Sequence, residues 1–292
     1  MQPLASDQPE PPPSSAERDV TASGVRLRVL DGGAGPPVVL IHGLFMDNRT
    51  WTSVRVELCR RFRVIAPDLP GFGQSEKPPP QRFPYGIDAF VDSIADLYAG
   101  LEIGRAALVG HDIGAAVALT LAARHPELVS HLVLVSPWLH PDGAAPESQI
   151  ARLPLLGNLV FKQLVGRGLF RSYFHERLSW QRDARAMERV DAFYEAFNTP
   201  AARGSALATL CATADTRAVL AQTARIQTPT LVVGGHADRL FPPRVGQRLA
   251  REIRGAGFEL LDAGHAPQEE HPRELAALIT RFLQPRSRPN SR

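Results

Sequence analysis

Leu108-Val109-Gly110-His111-Asp112-Ile113-Gly114-Ala115 is the stretch on which the reading of this chain turns. A short apolar run enters a pentapeptide with glycine at both ends, and an Ala-, Leu- and Val-rich segment, Ile113 to Arg124, follows without a break. The run predicts a buried strand and the segment a helix. Glycines at 110 and 114 let the two backbones approach through a strained turn. Such a turn holds its central side chain, Asp112, out above the edge of a sheet. Taken alone, the pentapeptide is equally well an ordinary strand-to-helix turn with an Asp cap. A metal-binding His111-Asp112 doublet lacks further ligands at usable spacing.

Val38 to Ile41, Arg63 to Ala66, Ala106 to Val109, Leu132 to Val135, Thr230 to Val233 and Phe258 to Leu261 are short runs of the kind expected of strands covered on both faces. Val25 to Leu30 alternates with period two and stops at Asp31-Gly32-Gly33, a strand ending in a turn. Ile87 to Leu101 sets Phe90, Ile94, Leu97 and Leu101 on one helical face, and Glu274 to Leu283 repeats the pattern with Leu275, Leu278 and Phe282. Strands alternating with helices predict an α/β fold with a mostly parallel central sheet and helices on both faces. One interval breaks the alternation. From Pro137 to about Leu220 no strand is evident, yet Trp138, Phe161, Phe170, Tyr173, Phe174, Trp180 and Tyr194 are there. An inserted helical cap over the carboxyl edge of the sheet is expected, and ligands bind at that edge. The expected division is a disordered tail over 1–18, a core over 19–136 and 221–284, a cap over 137–220 and a flexible basic tail over 285–292.

Composition narrows the classes. A chain of 292 residues, 44% apolar and 22% charged, is ordinary for a globular protein. No run approaches the ~20 apolar residues of a membrane helix. The Pro- and Ser-rich start lacks a basic and then apolar leader, so a cytoplasmic protein is expected. The formal charge of +3 falls partly on Arg286, Arg288 and Arg292 in the tail, and the other arginines are scattered. That is no nucleic-acid footprint. Cys59 and Cys211 have no metal spacing and are expected as buried thiols.

Three more strand ends carry chemistry. Val38 to Ile41 runs into His42-Gly43-Leu44-Phe45, where a glycine after a buried strand turns backbone N–H groups toward an anion. Leu44 and Ile113 are the candidate donors of an oxyanion hole, and His42 is expected to hold its loop by hydrogen bonds. Thr230 to Val233 leads to Asp238, placed to orient a histidine. The last strand leads to Asp262-Ala263-Gly264-His265. Asp112, Asp238 and His265 thus give nucleophile, acid and base in one chain order, each at a strand end.

From Val25 to Leu283 the sequence therefore resembles the α/β-hydrolase superfamily, and Asp68-Leu69-Pro70-Gly71-Phe72-Gly73 looks like a loop of that family. Gly-His-Asp-Ile-Gly resembles its Asp-nucleophile branch, the epoxide hydrolases and haloalkane dehalogenases. The resemblance implies a hydrolase that needs no cofactor or metal, acting with water on a small apolar electrophile, with neither nucleic acid nor membrane as partner. Dehalogenases place a halide-binding Trp and Asn where Ile113 and Leu44 stand here. Epoxide hydrolases have Pro where Phe45 stands, and use two cap tyrosines, for which Tyr173 and Tyr194 are the candidates. Phe45 and Trp138 are further candidate substrate contacts, and Trp138 or Trp180 could bind a halide from the cap. An epoxide hydrolase-like enzyme, a dehalogenase or atypical ester hydrolase, and a catalytically silent binder of small ligands all stay open.

The residue type itself favours one reaction. A carboxylate attacking an ester carbonyl makes a high-energy mixed anhydride, whereas attack on a saturated electrophilic carbon makes an ordinary alkyl ester. With a reference pKa near ~3.9, Asp112 needs no base to be an anion at neutral pH. His265, oriented by Asp238, would then activate water to hydrolyse that ester.

Overall fold

The computed structural model describes residues 16–139, 149, 151–178 and 184–284. The expectations for residues 1–15, for the tail over 285–292 and for Trp180 lie outside the described residues. Eight strands form one sheet in the order β1-β2-β4-β3-β5-β6-β7-β8. They are β1 (Ala16–Ala22), β2 (Val25–Gly32), β3 (Pro37–Ile41), β4 (Arg63–Pro67), β5 (Ala106–His111), β6 (Val129–Val135), β7 (Thr230–Gly235) and β8 (Gly257–Leu261). β1 and β2 pair antiparallel, as do β2 and β4, and every other pairing is parallel.

The continuous apolar runs have a simple cause. Successive strand residues face opposite sides, so Val39 and Ile41 enter one core while Val38 and Leu40 enter the other. One face is covered by α2 (Ile87–Gly100) and α3 (Ile113–Arg124), and the other by α1 (Thr52–Leu58) and the last helix, α11 (Pro272–Leu283). All these faces are apolar because water reaches neither. No helix among the described residues is long and apolar enough to cross a membrane.

Two strands depart from expectation. β8, expected to be covered on both faces, is the sheet's edge, and Leu260 is 40% exposed. β1 begins at Ala16, inside the segment 1–18 expected to be disordered. Ala16 to Asp19 offers almost nothing to bury, so β1 shows no apolar alternation there. It pairs instead through cross-strand charges, Asp19 with Arg26 at 3.2 Å and with Arg28 at 3.0 Å. Ser23 and Gly24, with φ of 48° and 69°, supply the two left-handed residues that a tight hairpin turn requires.

Between β6 and β7 the described residues form helices: α4 (Pro154–Leu159), α5 (Arg167–Ser172), α6 (Ala184–Phe197), α7 (Pro200–Ala212) and α8 (Arg217–Leu220). π-helical turns over Val160–Leu164 and Tyr173–Arg177 extend α4 and α5. Their aromatics pack on one another and on Phe45, which rises from the core: its ring lies within 6.5 Å of Phe161, Phe170, Tyr173 and Phe197. Polar ties fasten this cap. The Tyr85 hydroxyl lies 2.8 Å from that of Ser205, and Arg49 donates to the Ala192 carbonyl at 2.8 Å. Cys59 is buried, but Cys211, expected buried, lies on the outer face of α7. Two further helices among the described residues, α9 (Pro243–Glu252) and α10 (Pro267–Glu270), join α11 in completing the core.

Candidate active site

β5 ends at His111 and α3 begins at Ile113, so Asp112 alone makes the turn between them, at φ 53° and ψ −120°. That is a strained conformation for a residue with a side chain, and it persists only where its surroundings hold it. Here the Asp112 N–H donates to the Val135 carbonyl at 3.1 Å, and the Asp112 carbonyl accepts from the Trp138 N–H at 3.0 Å. A Cβ on Gly114 would lie 2.5 Å from the Ile41 carbonyl oxygen and 2.6 Å from that of His42. Only glycine lets α3 start so close to β3.

The Asp112 side chain is buried, and its two oxygens have different surroundings. Oδ2 accepts from the Leu44 N–H at 2.7 Å, and the Ile113 N–H at the start of α3 also favours the charged carboxylate. Oδ1 has no hydrogen-bond partner among the described residues and lies 3.8 Å from His265 Nε2. Burial pushes the Asp112 carboxyl up to about 6, against the opposing pull of His265 and the two N–H groups.

His265 sits between two acids. Its Nδ1 donates to Asp238 Oδ2 at 2.9 Å, and Nε2, unprotonated in the neutral ring, is turned to Asp112. The other oxygen of Asp238 accepts the N–H groups of Leu240 and Phe241 at 2.9 and 2.8 Å. Burial alone would lower the His265 pKa, but the charge and hydrogen bond of Asp238, and then Asp112, outweigh it and raise it.

The strand-end loops are tied to one another. His42 Nδ1 donates to the Gly43 carbonyl at 2.8 Å, and Nε2 accepts the Leu69 N–H at 2.9 Å. Asp68 accepts the Asn48 and Gln74 N–H groups, each at 2.7 Å, and joins the Leu44 loop to the loop after β4. Two site neighbours escaped the sequence reading. His111 donates from Nε2 to the His265 carbonyl at 2.9 Å. Glu270 accepts N–H groups beside His265. A carboxylate five residues after His265 was the only signal for Glu270; His111 had no signal separable from the turn itself.

The structure thus gathers Asp112, Asp238, His265, Leu44 and Ile113 at the carboxyl edge of the sheet. Phe45, at φ 60°, follows Leu44 and turns its ring into the cap aromatics, with Tyr173 edge-on at 5.6 Å. Tyr194 packs against Phe170 and Phe197 with the Arg167 guanidinium 5.0 Å over its ring. For Trp138 the placement corrects the expectation of a halide donor. Its indole N–H donates to the Thr213 carbonyl at 3.1 Å and its ring packs on Phe241, so that proton is taken.

A family profile described as the alpha/beta hydrolase fold matches residues 36–272. The 2-hydroxymuconate semialdehyde hydrolase of Pseudomonas sp. (strain CF600) is 32% identical over 288 residues, which cover 91% of this chain and 93% of its own. The structure of a thermophilic esterase from Thermogutta terrifontis superposes with a TM-score of 0.79 at 28% identity, covering 92% of this chain and 98% of that one. A serine hydrolase involved in carbazole degradation (CarC) does so at 0.75 and 27%, covering 92% and 99%. The three relatives are hydrolases by name, and none is named an epoxide hydrolase.

Proposed function

The chain belongs to the α/β hydrolase fold family, and from that premise we propose that it hydrolyses its substrate through a covalent alkyl ester on Asp112. The observation that carries the reading is the unequal setting of the two carboxylate oxygens. Oδ2 already occupies the Leu44 N–H, and the Ile113 N–H favours the same carboxylate anion, so a substrate carbonyl oxygen has no vacant hole to enter. Oδ1 is bare, buried and faces His265. An acyl transfer would need the hole for the substrate; attack on a saturated carbon does not.

The first step forms a bond from Oδ1 to carbon while the carbon's bond to its leaving atom breaks. Asp112 becomes an ester whose carbonyl oxygen is Oδ2. In the second step His265 Nε2 takes a proton from water, and the hydroxide adds to the Asp112 carboxyl carbon. Negative charge then develops on Oδ2, where the two N–H groups wait. Each such donor is worth ~3 kcal/mol in the transition state. On collapse the His265 proton passes to the departing alkoxide, which leaves as the product alcohol, and the carboxyl proton on Asp112 returns to the donor that protonated the leaving atom, which restores the carboxylate.

The substrate class favoured is a small apolar epoxide. An opening epoxide needs a proton for its oxygen, and of the two cap tyrosines Tyr173, half-buried and edge-on to Phe45, is the candidate donor. Tyr194 is buried in the cap cluster. A halide finds less support, since Trp138 is engaged and the side chains of Leu44 and Ile113 carry no donor.

Incubating a His265→Gln variant with apolar epoxides, haloalkanes, aryl esters and 2-hydroxymuconate semialdehyde tests the reading. The expected result is a mass gain of one whole epoxide, mapped to the peptide bearing Asp112. Turnover of esters or the semialdehyde by the unaltered protein, with no adduct from any member of the panel, would sink it.

The pH dependence has a definite sign. Attack needs the Asp112 anion and ester hydrolysis needs neutral His265, so both steps fail as pH falls. Asp112 is pushed up to about 6 and His265 is raised, so the acid limb of kcat is expected to have its midpoint at or above about 6. A rate that stays flat down to about pH 4, the ordinary carboxylate range, contradicts this.

A further inference from the structure

The backbone around His265 is held from three directions. The His265 N–H donates to the Leu178 carbonyl of the cap at 2.8 Å. Its carbonyl accepts from His111. On either side of it, the Glu270 carboxylate accepts the Gly264 N–H, at 3.0 and 2.9 Å to its two oxygens, and the Ala266 N–H at 3.3 Å. Glu270 closes the short helix α10 and reaches back over the loop that precedes it.

We propose that Glu270 is a positioning residue for the base: it clasps the backbone on both sides of His265 and keeps a negative charge behind the imidazole while the ester is hydrolysed. The inference rests on the reading of His265 as that base. In the resting site three acids act on His265: Asp238 from the loop after β7, Asp112 from the turn before α3, and Glu270 from α10. Esterification removes the charge of Asp112. When His265 then takes a proton from water, Asp238 and Glu270 are the two anions left to stabilise the imidazolium. His111, the ionisable neighbour from β5, adds no charge, because burial and then His265 hold it well below its ordinary pKa. Among the described residues of the cap, the uncharged Leu178 carbonyl bonds the His265 backbone. Burial raises the Glu270 carboxyl, and the Gly264 and Ala266 N–H groups, His271 and His265 oppose that and favour its anion.

A Gln at 270 keeps the size but offers one acceptor oxygen where the carboxylate gives two, and it has no charge. Two readouts on the full chain separate positioning from bulk stability. The first, independent of any substrate, is titration of the His265 ring by NMR with labelled histidine, assigned by loss of its signals in His265→Gln. In Glu270→Gln the midpoint is expected about half a unit lower, as loss of a neighbouring anion requires. The second is the single-turnover decay of the Asp112 ester, expected to slow about tenfold, a part of the ~10²–10⁴ that a placed base supplies. Ester formation should change by less than about twofold.

Glu270→Asp should restore the titration midpoint while recovering only part of the decay rate, because its shorter arm cannot span both N–H groups. It also serves as the test should the Gln variant fold poorly. Glu274→Gln, on the exposed face of α11, should alter neither readout. A Glu270→Gln protein with an unaltered His265 titration overturns the proposal, even when the adduct forms on Asp112. A shifted titration with no adduct from any substrate instead keeps Glu270's role and discards the covalent reading.

Discussion

Replacing Asp112 by Ser is expected to exchange one chemistry for another: epoxide hydrolysis falls by at least ~10³, and hydrolysis of small aryl esters rises above the level of the unaltered protein. The loss follows because a serine oxygen bonded to the epoxide carbon makes an ether, which has no carboxyl carbon for water to attack. The gain follows from vacating the hole. With Oδ2 gone, the N–H groups of Leu44 and Ile113 are free for a substrate carbonyl oxygen, and His265, still oriented by Asp238, can take the Ser proton. Measuring both activities on one preparation decides it. Epoxide hydrolysis that survives the change would remove Asp112 from the mechanism.

The same substitution should reveal what the carboxylate costs. Asp112 is buried and raised to about 6, roughly two units above its unfolded value, so its ionisation disfavours the folded state. At ~1.4 kcal/mol per unit this is about 3 kcal/mol. The contribution is absent below the unfolded pKa and fully felt above the folded one. The Ser variant should therefore gain stability relative to the unaltered protein as pH rises from about 4 to 8. A melting-temperature difference that does not depend on pH would contradict that linkage.

How much of this was legible in the sequence depended on what each signal records. Buried parallel strands write their environment into every residue, so β3, β5, β6 and β7 could be read from short apolar runs. The turn at Asp112 was legible because close approach of α3 to β3 admits only glycine at 114. Asp238 and His265 were found by their place after a strand, which is a topological signal. Edges were the weak point. β1 is held by Asp19, Arg26 and Arg28, whose pairing leaves no hydrophobic period, and β8 carries the apolar look of a covered strand on an exposed edge. Contacts between elements outside the expected catalytic set were not legible. Nothing local in Trp138 reports that its N–H meets Thr213, 75 residues away, nor that Leu178 in the cap bonds the backbone of His265. The candidate site was thus readable as a set of side chains, and its supports were not.

Those supports make Asp238 the site of the other large effect. Its two oxygens serve different partners: one holds the N–H groups of Leu240 and Phe241, the other holds His265 Nδ1. Asn at this position has one acceptor and one donor end. Turning its NH₂ toward Leu240 and Phe241 sets donors against two N–H groups, so the carbonyl stays there and the NH₂ faces His265. The imidazole must then accept at Nδ1 and carry its proton on Nε2, the nitrogen that faces Asp112. A histidine in that tautomer cannot take a proton from water. Asp238→Asn is therefore expected to lower the rate of ester hydrolysis by ~10⁴, the size of loss seen when a triad acid is made neutral without moving the histidine. Formation of the Asp112 ester, which asks nothing of the base, should persist, so the covalent species accumulates in the variant as it does in His265→Gln. Rapid-quench mass spectrometry reads both steps. If the two slow by the same factor, Asp238 is shaping the site as a whole, and its assignment to the hydrolytic half of the cycle fails.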